Sequence, residues 1–165
     1  MDGSTQSGNL EAAAARFFRL ARGVEVATLT VTKEQALDVQ YQLAKETPVD
    51  VGTARSNWRI SVGRPLVGKI TAYSPYLSRH RKPYGSGGSK SEGANLAGVM
   101  SQGKSRLASY KTGSIYVTNA LPYIGRLDDG YSPQSGSGFI SRAVMAATIQ
   151  TSSKIGTIFT KEFSK

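Results

Sequence analysis

The chain has 165 residues, 39% hydrophobic and 19% charged, and its 21 Lys and Arg against 11 Asp and Glu leave a formal charge of +10. This length suits one domain that buries roughly 70% of the surface its unfolded chain exposes. Without cysteine there is no disulfide, thiolate metal site or thiol nucleophile, and the single histidine, His80, excludes a two-histidine metal site.

The basic balance favours a polyanionic partner: nucleic acid, anionic lipid or an acidic protein. The sequence opens without the basic start and apolar core of a signal peptide. No apolar run approaches the ~20 residues that span a bilayer. A soluble, non-secreted protein with no membrane partner is the expectation.

Residues 1–8 are small and polar and read as a disordered arm. Ala12 to Ala15 are strong helix formers, and Phe17, Leu20 or Ala21, and Val24 recur at helical spacing. Gly23 and the β-branched "VATLTVT" weaken the middle, before Leu37, Tyr41 and Ala44 resume the pattern. One long helix is predicted, broken or strained near 24–32. Pro48 ends it, because its ring pushes Thr47 out of the α region. Arg16, Arg19 and Arg22 are interleaved with Phe17, Phe18 and Leu20. That stripe suits a membrane surface or, the preferred reading, an amphipathic helix covering a sheet.

Gly52 offers the positive φ of a tight turn. Trp58, Ile60 and Val62 then alternate with Arg59 and Ser61, predicting a strand over 57–62 with one buried face. Residues 64–73 extend or turn. Residues 74–92 read as loop, with Pro75, Pro83, a glycine cluster and "SRHRKPY". Leu96, Met100, Gly103 and Leu107 predict a helix over 94–109. "SIYVTN" predicts a strand over 115–118, residues 120–138 a structured loop, and Ile140, Val144, Ala147 and Thr151 a last helix over about 138–153. The order predicts an α+β fold: a small antiparallel sheet packed by a long N-terminal helix, a middle helix and a C-terminal helix. One domain is expected over 9–155, with a basic Gly/Ser-rich loop at about 74–93 and a tail over 156–165.

Catalytic chemistry finds little support. His80 sits among cations in "RHRK" with no orienting carboxylate nearby in sequence. "YGSGGSKSEG" has Ser89 rather than glycine before Lys90, and no buried strand leads into it, so it is no phosphate loop. Asp128 and Asp129 are adjacent, so their side chains diverge. No enzyme and no cofactor is expected. Across 77–111, Arg79, Arg81, Lys82, Lys90, Lys104, Arg106 and Lys111 face Glu92 alone. The run is either a solvated mobile loop or a phosphate-facing surface that attracts nucleic acid without reading sequence. Arg79, Arg81, Lys82 and Lys90 are its candidate DNA-facing residues.

Two segments, "TPVDVGTARSNW" and the later "GSIYVTNALPYIGRLDDGYSPQSGSGF", resemble the tail-completion or head–tail joining proteins of tailed bacteriophages. The matching positions are Thr47, Pro48, Val49, Asp50, Gly52, Arg55, Asn57 and Trp58, then Asn119, Pro122, Tyr123, Leu127, Asp128, Gly130, Ser132, Gln134 and Gly138. Val51 stands where that family more often has threonine, and Ser135-Gly136 replaces its common Ala-Pro. The resemblance implies an α+β protomer of a ring, commonly hexameric, in the neck of the virion and assembled in the host cytoplasm. Such a ring docks the tail to the head connector and leaves a channel for DNA. Its implied partners are further copies of itself, head connector or adaptor proteins, the tail tube or tail terminator, and the genomic DNA.

Trp58, Ile60, Val62, Ile115 and Val117 are expected to form the core face of the sheet. Asp50 is expected to stabilise the turn by an Asx-type hydrogen bond or to pair with Arg55. Tyr123, Arg126, Asp128 and Gln134 suit a polar subunit contact, with Asp128 meeting a basic neighbour in a head-to-tail ring. The alternative is a non-sequence-specific nucleic-acid-binding module that uses the basic loop.

Overall fold

In the computed structural model, helix α1 (Ser4–Glu46) runs unbroken for 43 residues, about 65 Å at 1.5 Å per residue. The structure describes the backbone of residues 4–48, 52–73 and 89–164, and the side chains of 9–48, 52–73 and 93–164. The helix already begins at Ser4, inside the stretch expected to be a disordered arm. The break expected near 24–32 is absent as well. There the Thr30 and Thr32 hydroxyls donate to the carbonyls of Val26 and Thr28 at 2.8 and 2.9 Å, and Ala27 is fully buried. Tertiary burial outweighs the few tenths of a kcal/mol that each β-branched residue costs a helix (~0.5). α1 ends at Glu46, with only Thr47 between it and Pro48, as the sequence predicts.

After α1 come α2 (Thr53–Ser56), β1 (Arg59–Val62), α3 (Ser89–Leu107), β2 (Ile115–Thr118), α4 (Ile124–Asp128) and α5 (Phe139–Phe163). The fold is α+β. A two-stranded antiparallel sheet, with Arg59 opposite Thr118 and Val62 opposite Ile115, is packed by the long N-terminal helix and the middle helix. α5 in turn packs along α1. Several boundaries differ from expectation: β1 starts at Arg59 rather than at 57, and α4 forms inside the loop expected over 120–138. The start of α3 takes in residues 89–93 of the expected loop, and α5 continues to Phe163 through most of the expected tail.

The continuation of α5 has a physical cause, its antiparallel packing along α1. The Gln42 amide donates to Gln150 Oε1 at 2.8 Å, and the Thr151 hydroxyl to Asp38 Oδ2 at 2.8 Å. Lys154 Nζ lies 2.7 Å from Asp38 and 3.3 Å from Glu34. At the far end the Phe163 ring lies against Gly23, where an added Cβ would stand 3.0 Å away. Positions rise along one helix as they fall along the other. Periodicity in α5 alone fades after Thr151, but its surroundings keep the last turns helical.

The main core joins Leu43, Ala44, Trp58, Val99, Phe139 and Ala143, and a second cluster joins Ala36, Ile60 and Leu107. Trp58 and Ile60 are buried as expected, and Ile115 and Val117 are half-buried against these clusters. Val62 is not in the core. It is 40% exposed because it pairs with Ile115 at the open end of the sheet, where it lines an open cleft.

The edge of β1 that faces away from β2 is closed by side chains. Gln102 Nε2 donates to the Ile60 carbonyl at 2.9 Å, and the Ile60 N–H donates to Gln102 Oε1 at 3.0 Å. Fully buried Gln40 donates to that same Gln102 oxygen and to the Trp58 carbonyl, each at 3.0 Å. Gly103 makes this approach possible, since a Cβ there would stand 2.0 Å from Gln40 Oε1.

Gly103→Ala should therefore lower the urea midpoint by the equivalent of roughly 1–3 kcal/mol, as overpacking does. Gly93→Ala, with nothing within 4 Å of the new Cβ, should be neutral or stabilising by up to about 1 kcal/mol. Equal effects of the two would contradict the close approach of α3 to α1. The Lys154 ammonium supplies a second test. Burial alone would lower its pKa, but the hydrogen bonds and charges of Asp38 and then Glu34 outweigh this and raise it above the ordinary lysine value. A raised folded pKa gives stability that is complete below the unfolded lysine value of about 10.4 and lost as pH climbs through the folded value. Above about pH 10.4 the wild-type midpoint should fall more steeply than that of Lys154→Met.

Candidate functional site

The corner between α1 and β1 holds most of the first motif, and its side chains are spent on the protomer itself. The Trp58 indole donates to Thr47 Oγ1 at 2.7 Å, and that hydroxyl donates to the Leu43 carbonyl at 2.6 Å. Buried Arg55 reaches back to the Lys45 and Thr47 carbonyls at 3.1 and 3.4 Å, closing the end of α1 where carbonyls lack helical partners. Gly52 takes φ 80°, the left-handed turn expected of it. Asn57 clamps the segment after β1, donating to the Ile70 carbonyl and accepting from the Ile70 N–H at 2.8 and 2.9 Å. Asp50, with both of its expected roles, lies outside the described residues.

The second motif meets the first in space. The Asn119 amide, just past β2, donates to the Ala54 carbonyl in α2 at 2.9 Å. Its side-chain oxygen also accepts from the Leu121 N–H at 3.3 Å. Leu127 and Ile124 pack against the main core. Asp128 has a task inside the chain, because its carboxylate accepts from the Ile140 N–H at 2.8 Å. It thereby caps the N-terminus of α5, where Gly138 supplies no side chain and turns with φ 75°. Tyr123 at the start of α4, Arg126 within it and Gln134 in the loop after it are solvent-facing, with the Arg126 guanidinium 5.1 Å from the centre of the Tyr131 ring. Asp128 thus stands apart from the three residues grouped with it.

Arg79, Arg81 and Lys82 lie outside the described residues, as does His80. Lys90 falls in the first turn of α3, with its backbone alone described.

A surface that sequence reasoning placed elsewhere is the N-terminal half of α1. Residues 9–22 are exposed without interruption, so this stretch covers no sheet. α5 reaches Gly23 and ends there, leaving about 28 Å of α1 unaccompanied by another element among the described residues. Leu10, Phe17, Leu20 and Val24 share one face by helical spacing. Phe17 and Phe18 are 69% and 70% exposed. The available signal was the mixture of Phe and Arg itself, which fits a helix lying on a surface outside its own domain.

Comparison with family models, curated proteins and solved structures finds no match for this chain. No helix among the described residues is long and apolar enough to cross a membrane. Nor do the described residues hold a group of three His, Cys, Asp or Glu placed to bind a metal ion. Among the described residues, the projecting half of α1 carries the longest run of exposed side chains, Phe17 and Phe18 included.

Asp128→Ala should cost the isolated protomer roughly 0.5–2 kcal/mol through the lost cap, read as a lower urea midpoint at low protein concentration. Arg126→Ala should leave that midpoint within about 0.5 kcal/mol. The reverse order would remove Asp128 from its capping role.

Proposed function

We propose that this chain is a structural protomer that assembles with copies of itself into a ring at the head–tail junction of a tailed bacteriophage. There it would complete the tail or dock it to the head connector and leave a channel for DNA. The observation that carries the assembly part is the unaccompanied apolar face of α1. An exposed row of Leu and Phe favours a partner that removes it from solvent. Other copies of the chain are the natural partner, since a face on one subunit that meets a different patch on the next generates rings.

The phage part rests on the two motifs, which lie far apart in sequence and meet through Asn119 and Ala54. Ring order, the identity of the neighbouring connector and tail proteins, and the virion location belong to the same proposal. In this reading the motif residues Arg55, Asn57, Trp58, Asn119 and Asp128 build a rigid body, and α1 reaches from it to the next subunit.

Mass measurement and negative-stain imaging of the full chain test this directly. Wild-type protein is expected to form closed rings in moderate salt. Phe17→Glu combined with Leu20→Glu should give a folded monomer, with the urea midpoint of the body within about 0.5 kcal/mol of wild type, since both side chains are exposed. A wild-type chain that stays monomeric at high concentration, or a double variant that still closes rings, would overturn the reading.

A further inference from the structure

The end of the hairpin carries a second feature, made from residues that neither motif includes. Where β1 gives way to the following loop, and close to the end of α3, an open cleft of about 590 Å³ is lined by side chains from 61–66 and 106–112, among them Arg64, Arg106 and Lys111. Its three cations come from three separate pieces of chain. Arg64 follows β1, Arg106 lies in the last turn of α3, and Lys111 lies in the loop leading to β2. The register of the hairpin, with Val62 opposite Ile115 and the Gly63 N–H donating to the Ser114 carbonyl at 2.9 Å, holds these pieces together.

The charges in the cleft are uncompensated. None of its lining residues among those described is acidic, and no hydrogen bond or ion pair within the described residues engages the heads of Arg64, Arg106 or Lys111. The position of Arg106 near the C-terminus of α3 has a local electrostatic cause, because cations are favoured there. Arg64 and Lys111 belong to no helix and have no such cause. Three like charges gathered around one concavity repel one another, and a bound anion relieves that repulsion.

We propose that this cleft binds the phosphodiester backbone of nucleic acid, without regard to sequence. The donor set decides the ligand class. Arg and Lys with Ser and Thr hydroxyls are among the groups that contact phosphates and sugars in nucleic-acid complexes, and Ser109 and Thr112 supply hydroxyls beside the three cations, while the Tyr110 hydroxyl donates to the Gly113 carbonyl at 2.8 Å. The core of a protein interface is depleted of charged residues, whereas here Val62, Leu66 and Tyr110 share the cleft with three exposed cations. A small metabolite would be buried in a mostly apolar pocket, whereas Arg64, Arg106, Ser109, Lys111 and Thr112 are all exposed. A polymer that stays largely in water while its phosphates touch the cleft fits both facts. This site involves different residues from the assembly face on α1 and does not depend on the ring proposal.

The test uses the full chain and a random-sequence 20-bp DNA duplex, with affinity measured by fluorescence anisotropy across a salt series. Each phosphate contact contributes about 0.9 to the slope of log affinity against log salt. The triple variant Arg64→Ala, Arg106→Ala, Lys111→Ala should therefore lower the steepness of that slope by roughly 2–3. Arg64→Lys with Arg106→Lys should preserve it, since charge rather than shape carries the contact. The charge-matched control Arg16→Ala, Arg19→Ala, Arg22→Ala separates the cleft from a general effect of net charge. Polyglutamate at equal charge concentration should displace the duplex poorly. An unchanged slope in the cleft variant, an equal or larger loss in the control, or efficient displacement by polyglutamate would each overturn the proposal. All three cleft residues are exposed and unpartnered, so melting of the variants should match wild type, and a failure to bind can be read as loss of the site.

Discussion

One carboxamide closes the free edge of the sheet, and the rest of the body is organised around it. A two-stranded ribbon is barely stable in water, and in an antiparallel ladder alternate residues point their N–H and C=O away from the partner strand. For Ile60 both groups point at Gln102, whose amide accepts from one and donates to the other. Gln102 thus acts as a single rung of a third strand, supplied by α3. Gln40 then ties that rung to α1 and to the Trp58 carbonyl. The arrangement requires α1 and α3 to approach more closely than a side chain at position 103 permits. A glycine in mid-helix costs about 1 kcal/mol relative to alanine, and here that cost is offset by a buried polar network joining three elements.

The same body is asymmetric in how it uses α1. The C-terminal half of the helix is enclosed by α5, α3 and the sheet, with Asp38 held by Thr151 and Lys154. The N-terminal half leaves the body at Gly23 and carries its apolar residues into solvent. This division separates the residues that make the protomer stable from those free to engage something else. The two motifs fall on the stabilising side. Their polar side chains satisfy backbone groups at helix ends and strand exits, where regular structure leaves donors and acceptors unpaired.

Much of the architecture was legible because it rests on local rules. Pro48 stopped α1, Gly52 made the turn, and the β-branched run at 115–118 formed β2, each through the backbone preferences of the residues concerned. The limits of α5 were not legible, because its last turns are held by Phe163 on Gly23 and Lys154 on Asp38 and Glu34, partners more than a hundred positions away. α2 and α4, of four and five residues, were hidden for the opposite reason. Helices that short have almost no periodicity to read. Val62 fitted the alternation of a buried face, yet burial depends on what lies above it, and at the sheet's open end Val62 lines a cleft instead of the core.

Candidate functional residues divided in the same way. Asp128 looked available from sequence because a loop aspartate with a basic protein around it suggests an ion pair. Its carboxylate is instead spent on the first turn of α5, a partner defined by geometry rather than by neighbouring letters. The cationic cleft was invisible as a unit, since Arg64 is separated from Arg106 and Lys111 by all of α3 and the segment before it. By itself the sequence determined the fold class, the corner, the sheet strands and the excess of positive charge, because these follow from local conformational preference, hydrophobic alternation and composition. Only the tertiary structure decided which half of α1 is covered, which polar residues are consumed internally, and which charges share one surface. Those depend on long-range packing, and no local pattern encodes the distance between residues that the fold brings together.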